Sequence, residues 1–317
     1  ETYSTGFGGG FAIPHCKTKH LNADTIAILK LRDGGTITAI NEIPLEEYLT
    51  SVISSEMSGV APMEFLKTHA ILSRSWLLAA LDRKKKTKET TTPTGKITEG
   101  EVIRWYDREN HDLFDVCSDD HCQRYQGITK IVSEQAGEAI RDTSGTVITY
   151  RDEICDARYS KACGGITENF ETAWSEKRVP YLISISDAST SYRPIETEKQ
   201  ASAWILSEPD AYCNTKDAHL LEKRRPDVDR ETKNFFRWRV EYSRKELDEI
   251  LREKTGFDFG TLTEIVPITR GPSGRISRLK IAGSKRSMVV GKELEIRRWL
   301  SDTHLYSSAF IVTFEAD

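Results

Sequence analysis

Two groups of side chains in this sequence have types and spacings that could do chemistry. The first is a pair of charges on apolar stripes. Glu56 closes the run IPLEEYLTSVISSE, three residues beyond Ile53 and seven beyond Leu49. It therefore continues the series Leu45, Leu49, Val52, Ile53 at helical spacing. Arg74 lies in AILSRSWLLAAL, four after Ala70, on the stripe formed by Leu66, Ala70, Leu77 and Leu81. A charge on a buried face is costly unless it is paired or used. One reading is a structural Glu56–Arg74 ion pair that ties two helices together. The other is a carboxylic acid in a cleft, its pKa raised by an apolar wall, able to hand a proton to a leaving group. In that second case Arg74 must reach substrate or backbone carbonyls, because a cation locked onto the carboxylate would lower its pKa.

The second group is His111, Cys117, His121 and Cys122, two imidazoles and two thiols within twelve residues. Thiolate and imidazole are the usual donors of a closed tetrahedral zinc site. The spacing is not that of a zinc finger, and a Cys117–Cys122 disulfide or two buried thiols are competing readings. Adjacent His121 and Cys122 can share one ion only if the loop bends there. Further on, the glycines of Ala162-Cys163-Gly164-Gly165 allow close backbone approach to a ligand or another chain, or simply make a tight turn.

The elements that must position these groups follow from punctuation and period. Pro44, with Glu46 and Glu47 behind it, suits the first turn of a helix. Ser58-Gly59 ends that helix and Pro62 opens the next. Residues 25–31 and 36–40 read as strands joined at Asp33-Gly34-Gly35. Residues 82–100, a run of charge and threonine, read as a solvated loop outside the fold. Residues 130–141 read as helix, and 145–150 and 155–161 as strands. Ser243 and Glu246 form a capping box whose helix ends at Gly256. Residues 261–269 and 275–282 form a hairpin across Gly271–Gly274. Residues 235–242 and 307–314 read as strands, and 291–300 as a helix.

Composition excludes some classes. The chain has 317 residues and a net charge of −4, with no basic excess of the kind that nucleic acid requires. No run of eighteen apolar residues occurs, so no membrane span is expected. Six cysteines at this length are not a disulfide scaffold. GFGGG near the start lacks the Lys-Ser/Thr of a phosphate loop and reads as part of a flexible arm. The chain opens at Glu1 without a signal peptide, as expected of a processed form.

IPLEEYLTSVISSEMSG, followed eighteen residues after Glu56 by the arginine of AILSRSWLLAAL, resembles the SpoIID/LytB family, which includes the stage II sporulation protein D and the amidase enhancer. The segment Cys117 to Tyr125 is similar to the family's Cys-x-x-x-x-Cys/Thr-Gln-x-Tyr pattern, and Ala162-Cys163-Gly164-Gly165-Ile166-Thr167-Glu168 to its Gly-Gly-x-Thr-Glu segment. Trp174, Pro180-Tyr181-Leu182 and the run GRISRLKIAG…VVGKELEIRRWL…LYSSAF resemble it as well. The resemblance implies an α+β fold of SpoIID type, with a helical pair carrying the acid, antiparallel strands, and two lobes around a cleft. It divides the chain into an arm (1–23), a core with the catalytic helix and Cys/His loop (24–186), a variable insertion (187–234) and a second α+β lobe (235–317).

The same resemblance makes Glu56 the catalytic acid of a peptidoglycan lytic transglycosylase. Such an enzyme cleaves MurNAc-β-1,4-GlcNAc bonds without water, leaving 1,6-anhydro products. It implies substrate contacts from Arg74, Gln123, Tyr125, Ser160, Gly164, Gly165, Thr167 and Glu168, an amide and an aromatic face being suited to sugar hydroxyls and rings. Some family members hold zinc with Cys and His, so His111, Cys117, His121 and Cys122 are the expected ligands of one structural zinc ion. The implied partners are peptidoglycan glycan strands and, in the alternative reading of a non-catalytic amidase enhancer, a cell-wall amidase. A plain glycan-binding module is the third reading. The implied location is extracytoplasmic. The family's Gly-x-Gly-His-Gly-Val-Gly segment, expected after the last strand, does not appear before Asp317.

Overall fold

The structure is a computed structural model that describes residues 6–7, 11–12, 40–86, 95–105, 111, 114–118, 122–127, 133–217, 235–303 and 305–315. The fold is mixed α+β. The chain divides into two compact units, one of Glu1–Arg74 and His111–Thr146, the other of Ser75–Asn110 and Val147–Asp317. Strands β1 (Gly6–Phe7) and β2 (Phe11–Ala12) pair antiparallel in the first. The expected strands within 25–39 lie outside the described residues, as does most of the arm.

In the first unit, α1 (Leu45–Glu56) starts after Pro44 and carries Glu46 and Glu47 in its first turn. Its stripe is fully buried at Leu49, Val52 and Ile53. Chain reversal at 57–60 leads to α2 (Met63–Lys86), which belongs to this unit as far as Arg74 and in which Leu66 and Ala70 are buried in the same way. Helix α3 (Glu134–Asp142), capped by Ser133 on the Gln135 N–H, packs against α1 through a face of Ala136, Ala139 and Ile140.

The second unit is built on a five-stranded sheet of β3 (Gly95–Ile97), β4 (Glu101–Arg104), β7 (Leu262–Arg270), β8 (Ile276–Gly283) and β9 (Ser287–Gly291), in the order β3-β4-β9-β8-β7. All neighbours are antiparallel except β4 and β9. One face carries Leu262, Leu279, Ile281 and Val290 into a core shared with Leu251 of α6 (Arg244–Thr255) and Ile296 and Trp299 of α7 (Glu293–Trp299). Helix α6 has the expected capping box at Ser243 and Glu246, and Gly256 caps it at φ 72°. A small hairpin, β5 (Thr149–Tyr150) and β6 (Glu153–Ile154), and two helices, α4 (Phe170–Ala173) and α5 (Glu198–Leu206), complete the unit.

Several sequence expectations are corrected here. Residues 155–161 are not a strand: the Ala157 N–H bonds the Cys155 carbonyl and the Arg158 N–H that of Asp156, so the chain folds on itself. Residues 307–314 are not a strand either. Ser308 accepts one backbone bond from Ile276, while Arg270 takes the Phe310 carbonyl. Residues 235–242 form no strand, their aromatic rings packing on Tyr306 and Arg237 instead. The polar stretch 82–100 contributes the end of α2 and the strand β3. Within the stretch read as an irregular insertion, α5 is a regular helix with a Thr197/Gln200 capping box. Among the described residues, no helix is long and apolar enough to cross a membrane.

Candidate active site

Glu56 is the last residue of α1, and its side chain is 17% exposed. Its Oε1 accepts the Arg124 N–H at 3.0 Å. Its Oε2 lies 3.2 Å from Nε2 of His69, a buried imidazole nearly two turns into α2. The carboxylate is thus held by one backbone donor and by one imidazole nitrogen.

The segment that supplies the fixed donor runs along α1. The Gln126 N–H bonds Ser55 Oγ at 3.3 Å, and Ser51 Oγ donates to the Gly127 carbonyl at 2.8 Å. These bonds explain why Ser51 and Ser55 are buried on an otherwise apolar helix face. Gln123, 1% exposed, donates its amide N–H to the Ser73 carbonyl at 3.2 Å. Tyr125 is half-buried and stacks on Tyr48 with ring centroids 5.3 Å apart and planes inclined by 18°; Asn41 donates to its hydroxyl at 2.8 Å. Burial pushes the Tyr48 phenol far above its ordinary range, with Cys122 and Glu56 adding to the effect. Tyr48 therefore remains a neutral hydroxyl beside the acid.

Arg74 pairs with Glu46, not with Glu56. Nε reaches Glu46 Oε1 at 3.0 Å and Nη2 reaches Oε2 at 2.7 Å, a bidentate fork. Its remaining bonds go to the carbonyls of Thr146 at 3.1 Å and Ile140 at 3.5 Å. A guanidinium that is 1% exposed and turned onto these acceptors fastens α1, α2 and the end of α3 together. Glu46, legible in the sequence only as an acid in a first turn, is its counter-ion. His69 is the other partner that sequence reasoning missed, although it lies three residues after Leu66 and so close to the buried stripe of α2.

Three of the four expected metal ligands converge. One donor atom each from His111, Cys117 and Cys122 lies within 4.8 Å of the others, with Cys122 Sγ and His111 Nε2 3.4 Å apart. The soft thiolate and imidazole donors suit zinc. His121 lies outside the described residues. The Tyr125 N–H closes this loop onto the Ser118 carbonyl at 3.0 Å, next in sequence to Arg124, whose N–H bonds Glu56.

The other predicted site residues belong to the second unit. Ser160 is exposed. Gly164 and Gly165 adopt φ of 77° and 101°, and a Cβ on Gly165 would come within 2.9 Å of the Trp204 ring. Thr167 Oγ1 donates to the Ile183 carbonyl at 3.0 Å and accepts the Ile185 N–H at 2.8 Å. Glu168 is turned inward: Ser273 Oγ donates to its Oε2 at 2.6 Å and the Asn169 N–H to its Oε1 at 2.7 Å. Burial raises its carboxyl pKa above the usual range, against the pull of these hydrogen bonds and Arg275.

Comparison with known proteins separates the two halves of the sequence. Residues 33–150 match the SpoIID family, described as Stage II sporulation protein. Residues 168–317 match a different family, described only as a domain of unknown function, DUF8618. The chain is 24% identical over 147 residues to Stage II sporulation protein D of Bacillus subtilis (strain 168), covering 46% of this chain and 39% of that protein. The protein of the same name from Bacillus amyloliquefaciens is 25% identical over the same shares. An uncharacterized protein of Brachyspira hyodysenteriae, BHWA1_00569, is 25% identical over 46% of this chain and 33% of its own length. The matched stretch thus spans well under half of each relative.

Proposed function

We propose, from the match of residues 33–150 to the SpoIID family, that the protein is a peptidoglycan lytic transglycosylase acting on the cell-wall side of the membrane. The observation that carries the reading is the setting of Glu56. It is a carboxyl at a helix end, partly open to solvent, with one oxygen on a backbone N–H and the other on an imidazole. Protonated Glu56 gives its proton to the glycosidic oxygen as the C1–O bond of MurNAc breaks. The carboxylate so formed takes the proton of the MurNAc C6 hydroxyl, whose oxygen closes the 1,6-anhydro ring. One acid suffices because the attacking group belongs to the substrate, whereas hydrolytic glycosidases need a second carboxyl at a set separation.

In this reading His69 positions Glu56, and Tyr125, backed by Tyr48, offers an aromatic face to a sugar ring. Ser160 and Gly164 are proposed glycan contacts, and Gly165, buried against Trp204, acts by shaping the turn beside Gly164. Arg74, Gln123, Thr167 and Glu168, whose polar atoms bond within their own units, act by positioning. A zinc ion on His111, Cys117, Cys122 and His121 would be structural, since four protein ligands leave no position for an activated water. It would hold the loop from which the Arg124 N–H and Tyr125 extend.

A second reading is the non-catalytic amidase enhancer, favoured by the fact that both oxygens of Glu56 already have partners. Incubation with intact sacculi and with glycan strands stripped of stem peptides separates the two. Release of soluble glycan fragments by the chain alone supports the transglycosylase. Binding without release, together with faster peptide removal when a purified cell-wall amidase is added, would replace it with the enhancer.

A further inference from the structure

We propose that Cys163, Asp187 and Cys213 form a metal site for zinc or a similarly thiophilic divalent cation, with ligands distinct from the His111, Cys117 and Cys122 group. The three residues are remote in sequence, yet one donor atom from each lies within 4.8 Å of the other two. The two sulfurs are 3.7 Å apart. Two thiolates at about 2.3 Å from a tetrahedral zinc ion stand roughly 3.8 Å from each other, so the observed separation is that of a coordination edge. A disulfide would need the sulfurs at about 2.05 Å.

The backbone around the donors is cross-tied. The Asp187 N–H bonds the Gly165 carbonyl at 2.9 Å, and the Tyr212 N–H bonds the Asp187 carbonyl at 2.8 Å. The Cys213 N–H donates to Asp187 Oδ2 at 3.0 Å, which leaves the carboxylate most of its lone-pair sites for an ion. Two guanidinium groups fix the cysteine turn from behind: Arg275 donates to the Cys163 carbonyl at 2.9 Å, and Arg237 to the Gly164 carbonyl at 3.2 Å. Such supporting bonds are what hold metal ligands in register before the ion arrives. On binding, each thiol releases its proton to solvent and each sulfur donates a lone pair to the cation, with no change of oxidation state. Three protein donors leave one position for water or for an outside ligand. The ion would clamp the Gly164-Gly165 turn to the segment around Tyr212–Asn214.

The test is the zinc content of the full chain after equilibration with zinc and desalting. Wild type, C163S/C213S and C117S/C122S are compared. The C163S/C213S variant should carry about one equivalent less than wild type, as one structural site holds one ion. The C117S/C122S variant should retain that equivalent whether or not it loses another. As a check without substitution, bound zinc should protect Cys163 and Cys213 of wild type from alkylation, and a chelator should remove the protection. Equal zinc in wild type and C163S/C213S, chelator-insensitive alkylation, or a Cys163–Cys213 disulfide in protein purified without reductant would each overturn the site.

Discussion

Two partly buried carboxylates invite comparison, Glu56 in the first unit and Glu168 in the second. Both were legible in the sequence as candidate site residues, and both end up short of solvent. Their partners differ in kind. Glu168 is held by donors that cannot change, the Ser273 hydroxyl and the Asn169 N–H, and Gly271 leaves it room only because a Cβ there would sit 2.3 Å from its Oε2. It docks the Gly164-Gly165 segment on the turn between β7 and β8. Glu56 has one fixed donor and an imidazole. An imidazole nitrogen can donate or accept according to its tautomer, so Glu56 is tied to fewer permanent donors than Glu168, as suits a group that must exchange a proton with substrate and not a strut. Burial alone does not mark a catalyst; the kind of partner does.

The sharpest way to break this contrast is to replace each acid by its amide. Glu56→Gln should lower glycan cleavage by about 10²–10⁴-fold, the usual cost of losing a general acid–base, with binding and melting temperature nearly unchanged. Glu168→Gln should leave the cleavage rate of the folded fraction within a few-fold. Equal losses in the two variants would erase the distinction.

Next in size is the Arg74 anchor that keeps α1 and α2 in register for Glu56. Glu46→Ala strands a guanidinium that is 1% exposed and should cost roughly 3–5 kcal/mol of stability, as measured by chemical denaturation. Arg74→Met should cost less, because the Glu46 side chain left behind is 37% exposed and can be hydrated. A larger loss for Arg74→Met would mean that the guanidinium's carbonyl bonds, not the ion pair, carry the anchor. Gly271→Ala should cost about 1–3 kcal/mol, the range for overpacking, by driving Glu168 off Ser273. Cleavage by the molecules that remain folded should persist, and its loss would make Glu168 a substrate contact.

The smallest effect is a pH dependence of the second unit. The folded pKa of Glu168 is raised by burial. The folded state therefore keeps this proton to higher pH than the unfolded chain does. The stability so contributed is present below the unfolded value and is lost as pH rises through the folded one. Glu168→Gln should flatten this decline, so its stability relative to wild type grows from acidic toward neutral pH. Parallel stability curves for the two proteins would contradict the assigned shift.

What the sequence disclosed was mostly local. The α6 cap pairs Ser243 with Glu246 three residues on and closes at Gly256, all within one helix. The Thr197/Gln200 box of α5 carries the same signature, but the polar composition around it reads as irregular. Strands β4 and β9 are short, and their parallel pairing joins residues some 190 positions apart; nothing in EVIR or SMVVG announces it. At the site, period 3.6 puts Glu56 and Arg74 on buried faces, and there its information ends. That Arg74 takes Glu46, and that Glu56 takes His69 and a backbone N–H from Arg124, depends on how the helices and the Cys/His loop meet. Cys163 and Cys213, fifty residues apart, meet for the same reason.

The central claim is that Glu56 cleaves glycan with the substrate's own hydroxyl as nucleophile, and the mass of the new chain ends tests it most directly. Fragments released from stripped glycan strands by the wild-type chain should end in 1,6-anhydro-MurNAc, lighter by one water than a hydrolysed end, and Glu56→Gln should release them about 10²–10⁴-fold more slowly. Reducing MurNAc ends, or the same anhydro ends at the same rate from Glu56→Gln, would contradict it.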